Sequence, residues 1–166
     1  DGQTVNRVTQ TSFDVELLYG HFDPLRTEPA VSPDLDDTGG EVHIVQFETQ
    51  VLEAYRHALE SMGVDLYGTF TNHCVLARID RETLGAIRSL PFVRWVGAFK
   101  PAYKVEETLR AKLQGGKVEA GPYNLEVFER GGRQHSSLAN FIQLIGGRVE
   151  AVVTEGFMVV AALTPD

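Results

Sequence analysis

Apolar positions along this chain change their period several times, and each change marks an element. From Val42 to Phe47 the residues are apolar or tolerated in strands, and the polar pair Thr49-Gln50 ends the run. At Val51 the period becomes helical. Leu52, Tyr55, Leu59 and Met62 fall on one stripe with Val51 and Ala58 beside it, opposite Glu53, Arg56 and Glu60. Gly63 predicts the stop, because glycine takes the left-handed conformation that ends many helices. Val64 to Phe70 reads as a strand, 71–73 as a turn, and Cys74 to Ile79 as a second strand in which Val75, Ala77 and Ile79 alternate with Arg78. Asp80 is an N-cap for a helix carrying Leu84, Ile87 and Leu90, which ends before Pro91. Val93 to Phe99, rich in aromatic and β-branched residues, is the last strand.

That order is βαββαβ, a ferredoxin-like unit over 41–105 in an α+β chain. Right-handed crossovers place both helices on one face of a four-stranded antiparallel sheet, so the other face has no cover within the unit. Val93, Trp95, Gly97 and Phe99 alternate with Arg94, Val96 and Ala98, and both sets are apolar enough for burial. A half-solvated sheet alternates more cleanly, so the second face is expected to be covered by another body. On this strand Trp95 reads either as core or as an interface anchor.

The pattern then starts again. Beyond 106–121, read as a linker with a short helix from Glu106 to Leu113 and a Gly115-Gly116 joint, comes a partial second repeat over 122–166. Tyr123 to Glu129 is a strand, and Leu138, Phe141, Ile142 and Ile145 form a helical stripe closed by Gly146-Gly147. Arg148 to Thr154 and Phe157 to Leu163 are two more strands. A βαββ half leaves an open edge and an unfilled core. Three closures are conceivable: a second polypeptide supplying the missing helix and strand, an edge shared between the repeats, or pairing with a leading strand at Phe13 to Tyr19. The first is preferred here, in a precursor that continues through Asp166. Otherwise residues 1–40 are a polar, extended segment with Pro24, Pro29 and Pro33; the triplet Asp37-Thr38-Gly39 lacks the preceding apolar strand of a catalytic aspartate and reads as a turn.

HIVQF at 43–47, the MGV break at 62–64, the strand from His73 to Asp80 and LPFVRWVGAFKPAYK at 90–104 together resemble the inhibitor-type propeptide of secreted bacterial subtilisin-like serine proteases. The order and spacing of these motifs carry the likeness. It implies a prodomain that acts as intramolecular chaperone and temporary inhibitor, with the catalytic domain as partner in cis or as a separate cleaved chain. The uncovered sheet face would pack on two helices of that domain, and the tail after the last strand would lie in its substrate cleft. Under the resemblance Phe99, Lys100, Pro101, Ala102, Tyr103 and Lys104 are the protease-binding residues. An extended backbone is expected there, since Pro101 disfavours a helical residue before it, and Tyr103 is the pocket-filling side chain. The alternative is that 100–105 simply connects the two repeats. A secreted or periplasmic location follows from the same likeness.

Composition narrows the classes. The 166 residues carry a net charge of −8, the wrong sign for a phosphate-binding surface, so no nucleic-acid partner is expected. No apolar run approaches the roughly 20 residues of a membrane span. A single cysteine, Cys74, excludes an internal disulfide and reads as a small core residue. Histidines 21, 43, 57, 73 and 135 are scattered, and no H-G-T, G-T-S, G-x-S-x-G, H-E-x-x-H or G-x-G-x-x-G motif occurs. No catalytic residue, metal or cofactor is expected, and the chain reads as a non-enzyme. The competing function is a non-catalytic extracellular interaction module built from two ferredoxin-like units.

Overall fold

The computed structural model describes residues 12–70 and 72–164. Contacts divide the chain into two units, Asp1–Glu107 and Thr108–Asp166. The first holds β1 (Val15–Leu17), β2 (Gly20–Phe22), β3 (Val42–Phe47), α1 (Glu53–Ser61), β4 (Asp65–Phe70), β5 (Cys74–Arg78), α2 (Leu84–Arg88), β6 (Val93–Ala98) and the single turn α3 (Pro101–Lys104). After α4 (Glu107–Gln114), the second holds β7 (Gly121–Glu126), α5 (Gly132–Leu144), β8 (Arg148–Val153) and β9 (Met158–Leu163).

In the first unit the antiparallel sheet runs β4-β5-β3-β6, the ferredoxin-like order expected of βαββαβ. Its helix-side core joins Val45, Phe47, Val75 and Ala77 of the sheet to Leu59 and Ile87 of the helices. Tyr55 stacks on Phe92 with ring centroids 4.3 Å apart, tying α1 to the entry of β6. Helix α1 ends as its sequence predicts. Gly63 has φ +84°, its N–H donates to the Glu60 carbonyl at 3.0 Å, and the Val64 N–H reaches back to Leu59 at 3.2 Å. That paired closure satisfies carbonyls a helix end would otherwise strand.

The second unit repeats the first as far as its third strand. Its sheet order β7-β9-β8 matches β3-β5-β4, and α5 closes in the same way: Gly146 has φ +85°, and the Gly147 N–H donates to Ile142 at 2.8 Å. Even the irregularity is copied. A register shift lies between Leu66 and Gly68 on β4, and another between Val149 and Ala151 on β8. The core is small, with Ile142, Val159 and Ala161 buried and Leu125, Leu138, Val149 and Leu163 packed around them. Beside β7, in the position β6 takes beside β3, no strand pairs among the described residues.

Three expectations need correction. Residues 1–40 are not wholly an extended lead-in, because Gly20–Phe22 turns back on Val15–Leu17 as a hairpin. The leading strand therefore pairs with β2 and not with the second repeat. On β6 the strict alternation fails. Phe47 pairs with Val93 but Gln46 pairs with Trp95, so the strand carries one extra residue, Arg94. Val93 consequently packs with Val96 in the helix-side core, while Trp95 and Phe99 face the other way. Of the 71–73 turn, residue 71 lies outside the described residues; Asn72 and His73 both take positive φ, 56° and 68°.

Candidate functional site

The sheet face opposite α1 and α2, expected to be open for a client, is covered from within. Val15 and Phe22 of the hairpin pack on Ile44 and Cys74, with Trp95, Phe99 and Tyr103 around them. Burying two such side chains contributes about 1.5–3 kcal/mol each, so the hairpin is a packed layer and not a loose flap. Burial drives the Cys74 thiol up to about 12. A thiol held that firmly protonated is a core group, not a nucleophile.

Polar clasps fix the hairpin in register. Arg94 donates to Gln46 Oε1 at 2.6 Å and to Asp23 Oδ1 at 2.7 Å, and its guanidinium lies 4.4 Å from the Phe13 ring centroid. Gln46, fully buried, donates in turn to the Phe13 carbonyl at 2.8 Å and the Asn72 carbonyl at 3.2 Å. Asn72 Nδ2 donates to the Asp14 carbonyl at 2.8 Å. The hydrogen bond from Arg94 holds the Asp23 carboxyl below its ordinary value against the opposing effect of burial. Sequence reading missed this group, and the one available signal was an arginine and a glutamine inside otherwise apolar strands.

The tail residues are brought together, but not as an extended segment. Pro101 sits at the start of α3, where its fixed φ suits a first helical turn and its missing N–H is no loss. Lys100, just before it, is the extended residue that proline demands (φ −58°, ψ 152°). Its ammonium meets Asp36 at 2.9 Å and Glu28 at 3.1 Å; burial disfavours that charge, yet the two carboxylates push its pKa up. Ala102 is buried. The Tyr103 ring stands 5.3 Å from Tyr19, 6.1 Å from Phe99 and 6.3 Å from Phe22, and burial pushes its hydroxyl pKa up. Lys104 reaches over Phe99 at 5.9 Å, with its pKa pulled down by burial. These six residues thus fold onto their own sheet and the linker acids. Asp37 accepts a hydrogen bond from the Gly39 N–H at 2.8 Å, the turn expected of that triplet.

The second unit is different. Strand β7 alternates half-buried and exposed residues, β8 is mostly exposed, and Val152, Val153 and Met158 are exposed apolar side chains. On α5, Phe141, Leu144 and Ile145 are exposed as well. His135 is a buried residue of this helix, with Nδ1 2.5 Å from the Gly131 carbonyl; among the described residues its Nε2 is the buried side-chain atom left without a hydrogen-bond partner. An open groove of ≈ 340 Å³ follows β7, lined by Asn124, Leu125, Glu126, Phe157 and Met158. Among the described residues no cluster of three His, Cys, Asp or Glu is placed to hold a metal ion, and no helix is long and apolar enough to cross a membrane.

Fold and surface together define an α+β protein whose ferredoxin-like sheet is closed by its own hairpin and is followed by a second unit with a three-stranded sheet among the described residues. The chain belongs to the family described as a domain of unknown function (DUF8729), whose profile matches residues 16–100. That match begins within β1 and ends at Lys100, so the hairpin is part of the family's domain together with the sheet it covers. Neither the curated proteins nor the solved structures contain a match to this chain.

Proposed function

We propose that this chain is the prodomain region of a subtilisin-like serine protease, a non-catalytic body that helps the catalytic domain fold and blocks it until removed. The motif order at 43–104 carries this reading. Among the described residues β7 pairs with β9 alone, and Phe141 and Ile145 of the same unit are exposed, so this unit offers apolar surface to a partner. Because the hairpin already occupies the first sheet's far face, the client contact in this proposal moves to the second unit. Residues 99–104 then serve as an internal clamp that keeps the first unit closed. The setting is secreted or periplasmic, and the chain supplies no catalytic group of its own.

Two measurements test the reading. Purified chain, added at micromolar concentration to a subtilisin-like protease, is expected to lower the residual activity progressively. Added to the denatured catalytic domain, it is expected to raise the refolded yield. Loss of neither activity nor improvement in yield would overturn it. One observation favours a second reading, a non-catalytic extracellular interaction module: the face a propeptide would present is plugged by Val15 and Phe22. Under that reading the chain binds a partner through the same apolar surface and leaves protease activity and refolding unchanged.

A further inference from the structure

The first unit has a groove that neither of its apolar clusters fills. It lies at the end of the sheet where β3 runs out, has a volume of ≈ 400 Å³, and is lined by Phe13, Glu48, Thr49, Gln50, Leu52 and His73. A space of that order takes one side chain or a small ligand. Its walls are pinned through the backbone. The Phe47 N–H donates to the His73 carbonyl and the Glu48 N–H to the Phe92 carbonyl, each at 3.0 Å. Leu52, at the start of α1, is 38% exposed.

His73 is an unexpected residue for its backbone. It holds φ 68° beside Asn72 at φ 56°, a region glycine adopts freely and a side chain adopts at a cost. Asn72 recovers that cost locally. Its Nδ2 donates to the Asp14 carbonyl at 2.8 Å and to Glu16 Oε1 at 3.2 Å, and its carbonyl accepts from Gln46 at 3.2 Å. The His73 imidazole forms no hydrogen bond among the described residues; its ring meets Phe13 edge-on, with centroids 5.9 Å apart. Strain held without a local return points to a use for the side chain.

Charge narrows that use. The described lining residues include one carboxylate, Glu48, and no lysine or arginine. Arg94 lies 4.4 Å from the Phe13 ring, but Asp23 matches its charge at 2.7 Å, and Glu16 adds negative charge at the same turn. We infer that this groove receives a lysine side chain of a partner protein. The methylene stem lies along Phe13 and Leu52, and the ammonium sits on Glu48. An ammonium has three donors, and the Glu48 carboxylate, the Gln50 side-chain carbonyl and a His73 ring nitrogen are three acceptors for them. The net charge of −8 favours the approach of such a partner. The site belongs to the first unit and stands whether or not the chain is a prodomain.

The test uses the full chain and Nα-acetyl-lysine amide, followed by NMR. Resonances of Glu48, Leu52 and His73 should shift and saturate, with a Kd on the order of millimolar. Nα-acetyl-norleucine amide, an uncharged aliphatic counterpart, should bind at least about tenfold more weakly. Salt at about 0.5 M should weaken the lysine probe and leave norleucine unmoved. Glu48→Gln, at an exposed position, should lower lysine affinity at least about fivefold at an unchanged urea midpoint. His73→Gly should lower it too, while holding or raising the midpoint, because glycine bears no cost at φ 68°. That pairing separates a side chain kept for a ligand from one kept for the fold. No saturable shift, equal binding of lysine and norleucine, or unchanged affinity in both variants would overturn the inference. No protease enters the experiment, so its failure leaves the prodomain reading to the inhibition and refolding measurements.

Discussion

Arg94 is the residue on which the closed face of the first unit depends. It is the extra residue of β6, its side chain is 10% exposed, and it joins a carboxylate, an amide and an aromatic ring. Arg94→Ala leaves the half-buried Asp23 carboxylate with only the longer, exposed contact to Arg26 at 3.5 Å, and the loss of a charged hydrogen bond is expected to cost about 1.5–3 kcal/mol in urea unfolding. Arg94→Lys should recover less than half of that, because an ammonium cannot reach Gln46 and Asp23 as a fork does. The pair also sets a pH dependence. Since the folded state holds the Asp23 carboxyl below its ordinary value of 3.8, the contribution is full above that pH and lost as pH falls further, through the folded value. Acid titration of the wild type, compared with Asp23→Asn, should show this loss only in the wild type. Gly97 is the second decisive residue. A Cβ there would stand 2.0 Å from the Trp95 ring, so Gly97→Ala must displace the indole at a cost of about 1–3 kcal/mol. Trp95 is the chain's single tryptophan, and a shift in its emission reports the displacement directly.

At the scale of elements, the two long helices share one device and differ in what it protects. Both end on a glycine near φ +85° whose N–H and following N–H close the last turn. Gly63→Ala and Gly146→Ala should each destabilise by about 1 kcal/mol, measured as a shift in the unfolding midpoint of the unit concerned. Sequence periodicity read α1, both glycine stops and most of the strands to within one or two residues, but it carried the β7 strand on to Glu129 where the strand ends at Glu126, and its stripe for the second helix began at Leu138 where α5 begins at Gly132. It read α3 wrongly. A proline after a strand suggested an extended tail, yet proline suits the first turn of a helix equally well. What tipped the balance was Tyr103 packing against Tyr19 and Phe22 of the hairpin region, a contact between residues far apart in the chain.

At the scale of the whole molecule the two units carry unequal cores. Among the described residues ten buried side chains form the helix-side core of the first, and three form that of the second. Urea unfolding should therefore proceed in two steps with the second unit first, followed by amide exchange on β9 against β3. A single step with coincident loss of both strands would contradict that order.

The sequence by itself determined the strands, the two capped helices and the fact that the chain starts its pattern twice, because each is a local property: the period of apolar residues and the glycines that interrupt it. It also marked both faces of the first sheet as buried. Only the tertiary structure decided what buries the second face. A three-residue strand pairs with its neighbour and packs on Ile44 through contacts that no local period encodes. One inserted residue, Arg94, exchanges the faces that strict alternation had assigned. Closure of the first unit rests on these long-range pairings.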